Sequence, residues 1–280
     1  MSQPTPLPRV TALHQFPVKS CAPLSLERGF VDALGLAGDR RFMVTDPDGQ
    51  FLTGRRHPRL ASLLATPIEG GLVLAAEGRT HLVVRPQAQP DERLQVEVWR
   101  QSVSARRCGE AADRWISGYL GVEARLVHFD DASRRPIKDV AERQVGFADG
   151  YPLLLTSESS LDWLRERCPS PIEMTQFRPN IVVSGALPWA EDDWQEIRIG
   201  GLSFVLHSPC ERCKFITLPP RSESFHPLQQ PLRTLIAHHS DANRTPLFGH
   251  NLIARGEGVI EVGMPVEIVR MRSRDGEAEA

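Results

Sequence analysis

The 280-residue chain carries 33 basic and 35 acidic side chains, a net charge of -2, and 41% apolar residues. That composition can bury a large core without disulfide or metal staples, and its balanced charge gives no net field to attract a nucleic acid or an anionic membrane, so neither is expected as a partner. No run approaches the roughly 18 apolar residues of a membrane span, the N-terminus lacks a signal-peptide core, and five cysteines form an odd set. These features predict a cytoplasmic protein whose thiols are free or metal-bound.

Up to about residue 128, short segments of strand character ("VTALHQFPV", "RFMVTD", "QFLT", "LVLAA", "HLVVR", "LQVEVW") are separated by Gly/Pro turns, which predicts a β-barrel or sandwich. "DPDGQF" lacks the later ligands of a calcium loop and reads as a turn. One helix is predicted over 108–120, where Ala112, Trp115, Ile116 and Leu120 recur at helical spacing and Gly121 supplies a stop. After "ARLVHF" comes a polar stretch, 130–150, read as an interdomain connection in which Arg134 and Arg135 are ordinary connection residues. Next, "LLLTSESSLDWLRERC" reads as strand, cap and helix with Ser157 as N-cap. "NIVVSG", "QEIRIG", "LSFVLH", "NLIARG" and "PVEIV" are further strands, 229–239 is a short helix, and an acidic tail closes the chain. The predicted organisation is a mostly β protein with an N-terminal unit over 1–128, a second unit over 129–270, and a disordered tail over 271–280.

No Walker loop, G-x-G-x-x-G, H-E-x-x-H or G-x-S-x-G occurs, so nucleotide binding and hydrolysis gain no support from motif chemistry. The single Cys-x-x-Cys, Cys210 and Cys213 in "SPCERCKFITLPP", is open to several readings: half of a zinc site, a redox dithiol, or two buried thiols. His207 and His226 fit no common zinc-finger spacing, and a thioredoxin-like dithiol belongs at a helix N-terminus rather than among strands. On the motif alone, two buried thiols is the favoured reading.

The motif does not stand alone. "PVKS" (17–20), "GDRRFMV" (38–44), "LLTSESSL" (154–161), "FRPNIVV" (177–183), "SPCERCKFITLPP" (208–220) and "TPLFGHNLIARG" (245–256), in this order, resemble the MOSC superfamily, and within it the branch that joins a MOSC domain to an N-terminal β-barrel. That branch includes bacterial N-hydroxylaminopurine-detoxifying proteins and amidoxime-reducing components. The resemblance implies an N-terminal β-barrel followed by a MOSC β-barrel with peripheral helices. It implies a molybdenum-molybdopterin cofactor, with Cys213 as the protein's ligand to the metal, a soft thiolate in a sulfur-rich set completed by the pterin dithiolene. Lys19, Ser20, Arg41 and Arg178 would then offer charged or hydroxyl donors to the cofactor's phosphate; Thr156 and Ser157 would add donors at a helix start; Asn180 would orient the pterin or the ligand loop. Cys210 would touch this set or simply be buried, and Phe248 and Gly249 would pack beneath it.

The implied activity is reduction of small N-hydroxylated substrates: hydroxylaminopurines, hydroxylamines or amidoximes. These residues hold neither the C-x4-C-x2-C set of the ferredoxin domain that many bacterial relatives carry nor a haem-attachment or dinucleotide motif, so a separate electron donor of ferredoxin or flavin type is expected. Ile216 and Leu218 depart from the Thr-Thr and acidic residue more usual after the second cysteine, and bear on substrate preference. A carrier of molybdenum cofactor or persulfide sulfur, without turnover, is the alternative; a non-catalytic relative that binds a partner through its barrel is a third reading.

Overall fold

The computed structural model describes residues 7–273. The protein is mostly β, as its turn-punctuated sequence predicts. Eight strands share one sheet in the spatial order Leu24–Leu26, Arg9–Gln15, Ile181–Ser184, Leu153–Ser157, Leu247–Ala254, Leu202–Glu211, Trp194–Ile199 and Val266–Met271. The sheet curls until its ends meet: Val10 N–H donates to Met264 O (2.9 Å) and Val266 N–H to Pro8 O (2.7 Å). The reason is legible in the strands, because Leu202, Phe204 and Leu206 alternate inward with Ser203 and Val205, and Ile197 and Ile199 do the same on the neighbouring strand. Together with Leu13, Leu155, Ile181 and Leu252 they form one buried apolar cluster.

A second core lies under the helix α1 (Glu110–Leu120). Ala112, Ile116 and Tyr119 pack there on Leu74 and Leu126, from two smaller sheets, and Gly121, at φ 73°, ends the helix with its N–H on Ser117 O. Cys21 and Cys108 are buried in this core, and burial pushes both thiols up from their ordinary pKa, so they are inert packing groups.

The two units are laced rather than strung in series. Strands Arg9–Gln15 and Leu24–Leu26 belong to the large sheet of the C-terminal half, and Arg28–Asp32 pairs with Gly258–Glu261. The expected connection over 130–150 is also a built element: a hairpin of Pro136–Ile137 with Val140–Gln144, preceded by Arg135, which is only 2% exposed. Charge density misled the sequence reading there, since a buried guanidinium whose N–H groups are satisfied by carbonyls looks, in sequence, like a solvated one. "QFLT" forms only isolated bridges, Gln50 to Glu97 and Phe51 to Thr45, because the chain is still leaving the Asp46–Gln50 turn. The helix α2 (Glu158–Arg165) follows Ser157, and α3 (Leu232–His238) is shorter than 229–239. Of the expected tail, Met271 ends a strand and Arg272 hydrogen-bonds Trp194 O and Leu206 O; residues 274–280 lie outside those described.

Candidate active site

A cleft of about 640 Å³ opens beside the large sheet, lined from well-separated parts of the chain. Cys213 reaches it through a defect in regular pairing. The Leu202–Glu211 strand slips register against Leu247–Ala254 twice, between Leu206 and Ser208 and between Pro209 and Glu211, so the chain bends out of the sheet at the motif. Arg212 N–H then donates to Pro246 O, and a 3-10 turn, Lys214–Thr217, starts with Ile216 N–H on Cys213 O. Ile216 anchors that turn: it is 2% exposed in a cluster with Phe177 and Phe248, whose rings stack at 4.0 Å, and Gln176 Nε2 donates to its carbonyl. Phe248 thus packs beneath the cleft as expected, and Gly249, at φ 75° and pressed against Leu155 O, allows the strand to come that close. Leu218 is buried and lines no part of the cleft.

Neither thiol of the motif is buried, which corrects the reading of two buried cysteines: Cys213 is exposed and Cys210 half-buried. Arg212 donates through Nη1 to Cys210 Sγ at 2.9 Å and through Nη2 to Phe177 O, so the guanidinium ties Cys210 to the opposite wall at Phe177.

That opposite wall is cationic. Lys19 Nζ donates to Asp149 Oδ1 (2.6 Å) and Phe147 O (2.8 Å), and burial brings its ammonium down to about 8 despite the pull of Asp149. Arg178 donates to Cys21 O at 2.7 Å and lies over the Phe16 ring at 4.0 Å; burial, then the neighbouring Arg40, lowers its guanidinium to about 10. Arg40 links the set, donating to Asp39 (2.6 Å), to Asn180 Oδ1 (3.1 Å) and to Arg178 O (3.1 Å). Asn180, 1% exposed, completes its own bonds with Leu154 N–H and His14 O. Ser20, Arg40 and Arg178 all sit at positive φ (70°, 46° and 57°), left-handed conformations that cost a residue with a side chain roughly 1–3 kcal/mol each. Three such residues lining one cleft mark it as a place where backbone strain is held for a purpose.

Of the residues singled out from sequence, Cys213, Lys19, Ser20, Arg178 and Asn180 line this cleft together. Three do not. Arg41 turns away to form a two-oxygen pair with Asp32 (2.7 and 2.8 Å), and its neighbour Arg40 takes the cleft position, because successive residues entering the Phe42–Thr45 strand point to opposite sides. Thr156 is spent on Met174 Sδ, and Ser157, at the N-cap position of α2, has a buried hydroxyl with no side-chain cap bond. Sequence reasoning missed Arg40, Arg212, Asp149 and Arg135. Arg135 fixes the loop that carries Asp149, giving N–H groups to Gly146 O (2.8 Å), Ala148 O (2.5 Å), Asp149 O (2.7 Å) and Gln101 Oε1 (2.9 Å). The doubled arginine in "GDRRFMV" was the available signal for Arg40; spacing could not say which of the pair faces in.

A mostly β protein built from two interlaced units, with one exposed cysteine in a cationic cleft, is the class that fold and site define. Residues 7–123 match the MOSC N-terminal beta barrel domain and residues 142–267 the MOSC domain. The chain is 33% identical to mitochondrial amidoxime-reducing component 1 of Mus musculus and 32% identical to that of Homo sapiens, in each case over 93% of this chain and 82% of the relative. Mitochondrial amidoxime reducing component 2 of Bos taurus is 31% identical over 92% of this chain and 82% of its own. The chain belongs to this family of paired MOSC N-terminal and MOSC domains.

The donor set suits an anionic group that brings its own metal ligands. Arg178 Nη2 and Arg212 Nε are buried without a hydrogen-bond partner, so the protein's own acceptors do not fully satisfy the cations of this wall. Among the described residues, no group of three or more His, Cys, Asp and Glu side chains could cage a metal ion unaided. A metal beside Cys213 would therefore take one protein thiolate and its remaining ligands from a bound cofactor.

Proposed function

We propose that the protein is a molybdenum-cofactor-dependent reductase of small N-hydroxylated compounds, with Cys213 as the protein's thiolate to the metal. The observation that carries this reading is the pairing, in one cleft, of an exposed thiol with a cationic wall in which two guanidinium nitrogens have no hydrogen-bond partner. Lys19, Arg40, Arg178 and Arg212 would receive the cofactor's anionic groups, Ser20 would add a hydroxyl, and Asn180 would hold Arg40 and the Leu153–Ser157 strand in place. Thr156 and Ser157 have no direct part, and neither has Arg41. The bound cofactor would supply the two-electron chemistry, while the protein orients it and restricts water.

The reaction is R–NHOH + 2e⁻ + 2H⁺ → R–NH₂ + H₂O, which breaks the N–O bond and forms an N–H bond. The electrons come from a separate ferredoxin- or flavin-type donor, since this sequence carries no cluster, haem or dinucleotide motif of its own. The relatives' names include amidoxime reduction, which supports this substrate class, and include a mitochondrial location, whereas the cytoplasmic setting inferred from the cysteines is part of the proposal. Exposure of Cys213 would also suit a persulfide carrier, and turnover separates the two readings. Loaded protein should reduce benzamidoxime with a chemically reduced viologen and not with NADH or NADPH alone. Full molybdenum occupancy with no turnover from any donor would replace the reductase by the carrier.

A further inference from the structure

At one side of the same cleft stands a group without any cation: Tyr151, His207, Ser208, Asn251 and Asp139. The Tyr151 ring lies against the His207 ring at 4.8 Å with a 36° tilt, and Tyr151 Oη donates to Asp139 Oδ2 at 3.2 Å. Ser208 also hydrogen-bonds the phenol, whose pKa is raised by burial. Asn251 spends Nδ2 on Ser208 Oγ (3.2 Å) and Pro209 O (3.4 Å), which leaves its carbonyl oxygen as the acceptor it can offer. His207 Nδ1 is buried with no partner. A buried lone pair is cheaper to leave unpaired than a buried N–H, which favours the tautomer with the ring proton on Nε2. The strand that holds His207 also carries Cys210 and leads directly into Cys213.

We propose that His207, Tyr151 and Asn251 form the subsite for the substrate's N-hydroxylated head. The reading rests on the reductase function proposed above. An amidoxime, H₂N–C=N–OH, is planar, accepts at its hydroxyl oxygen and donates from its amino group. Those features match the His207 Nε2–H, the Asn251 carbonyl and the flat Tyr151–His207 surface. Asp139, with no cation in the group to offset it, favours neutral or cationic bases over carboxylate-bearing ligands. The anionic cofactor and the substrate would then occupy opposite walls of one cleft, with the cysteine motif between them.

The test uses the full chain, molybdenum-loaded and oxidised, with no reductant, so binding is read without turnover. Calorimetric titration with benzamidoxime, with displacement by benzamidine, gives the affinity of the wild type and of each variant. His207→Leu should weaken binding roughly five- to tenfold, as expected for one lost hydrogen bond plus a lost ring contact, while His207→Gln, which keeps a donor near the Nε2 position, should recover most of it. Tyr151→Phe, which preserves the ring and the fold, should weaken it severalfold. Molybdenum content and melting temperature should stay at wild-type values in all three. Wild-type affinity in both His207→Leu and Tyr151→Phe, or no binding to the wild type, overturns the subsite. His207-dependent binding with no turnover under reduced viologen would leave the subsite standing and refute the reductase.

Discussion

The barrel interior and the cleft at its side are built from adjoining stretches of the same strands and follow opposite rules. Inside the barrel the packed side chains are apolar; Phe204, Ile197 and Leu252 are 0% exposed and their side chains carry no polar atom that needs a partner. At the cleft, the Leu202–Glu211 strand slips register twice, Ser20, Arg40 and Arg178 from other parts of the chain adopt left-handed backbone, and two guanidinium nitrogens are buried unpaired. The first region supplies folding free energy, and the second consumes some of it to hold charges in place for a ligand. Substitutions in the two regions should therefore fail in different assays.

The largest effect on stability belongs to the barrel. Phe204→Ala should lower unfolding free energy by about 3–5 kcal/mol, as expected for an emptied aromatic site in a close-packed core, with little change in cofactor affinity for the molecules that remain folded. Denaturant titration beside molybdenum content per folded chain measures both quantities. A cofactor loss as large as the stability loss would erase the distinction.

Arg178→Ala should show the converse. Cofactor retention should weaken by about 1.5–3 kcal/mol if a charge-assisted bond is lost, while folding stability changes by less than it does in Phe204→Ala. Pterin content after dialysis, compared with the melting curve, decides it. A control at Arg134, whose side chain bonds only to nearby carbonyls, should leave both unchanged; Arg135 cannot serve, because it fastens the 146–149 loop.

A smaller and more specific effect follows from Lys19. Burial brings its ammonium to about 8 in the folded protein, against an ordinary value near 10.5, so above pH 8 the folded state has released a proton that the unfolded state still holds. Stability from this group is therefore lowest below pH 8 and rises through the window from 8 to about 10.5, by up to roughly 1.4 kcal/mol per pH unit. In cofactor-free protein, Lys19→Met should remove that rise from a plot of unfolding free energy against pH. An unchanged slope would show that Asp149 keeps Lys19 charged throughout.

The same contrast explains what the sequence could reveal. The barrel was legible because burial writes a period of two into "LSFVLH" and "QEIRIG", and α1 because Ala112, Ile116 and Gly121 fall at helical positions. Its closure was not, since nothing local says that Arg9–Gln15 pairs with Ile181–Ser184 across most of the chain. In the cleft, resemblance of motifs pointed to Cys213, Lys19, Ser20, Arg178 and Asn180, all of which line it. It failed where the answer depended on side-chain direction, as for Arg40 against Arg41, or on burial of a charge, as for Arg135. Tyr151 carried no signal and His207 was weighed only as a zinc ligand, because only the fold brings a loop before one strand against the middle of another.

The most direct measurement is elemental analysis of wild type, Cys210→Ala and Cys213→Ala purified in parallel from a cofactor-competent, molybdenum-replete host. The account predicts about one molybdenum per chain in the wild type, most of it retained in Cys210→Ala, and background levels in a folded Cys213→Ala. Equal molybdenum in wild type and Cys213→Ala would contradict it.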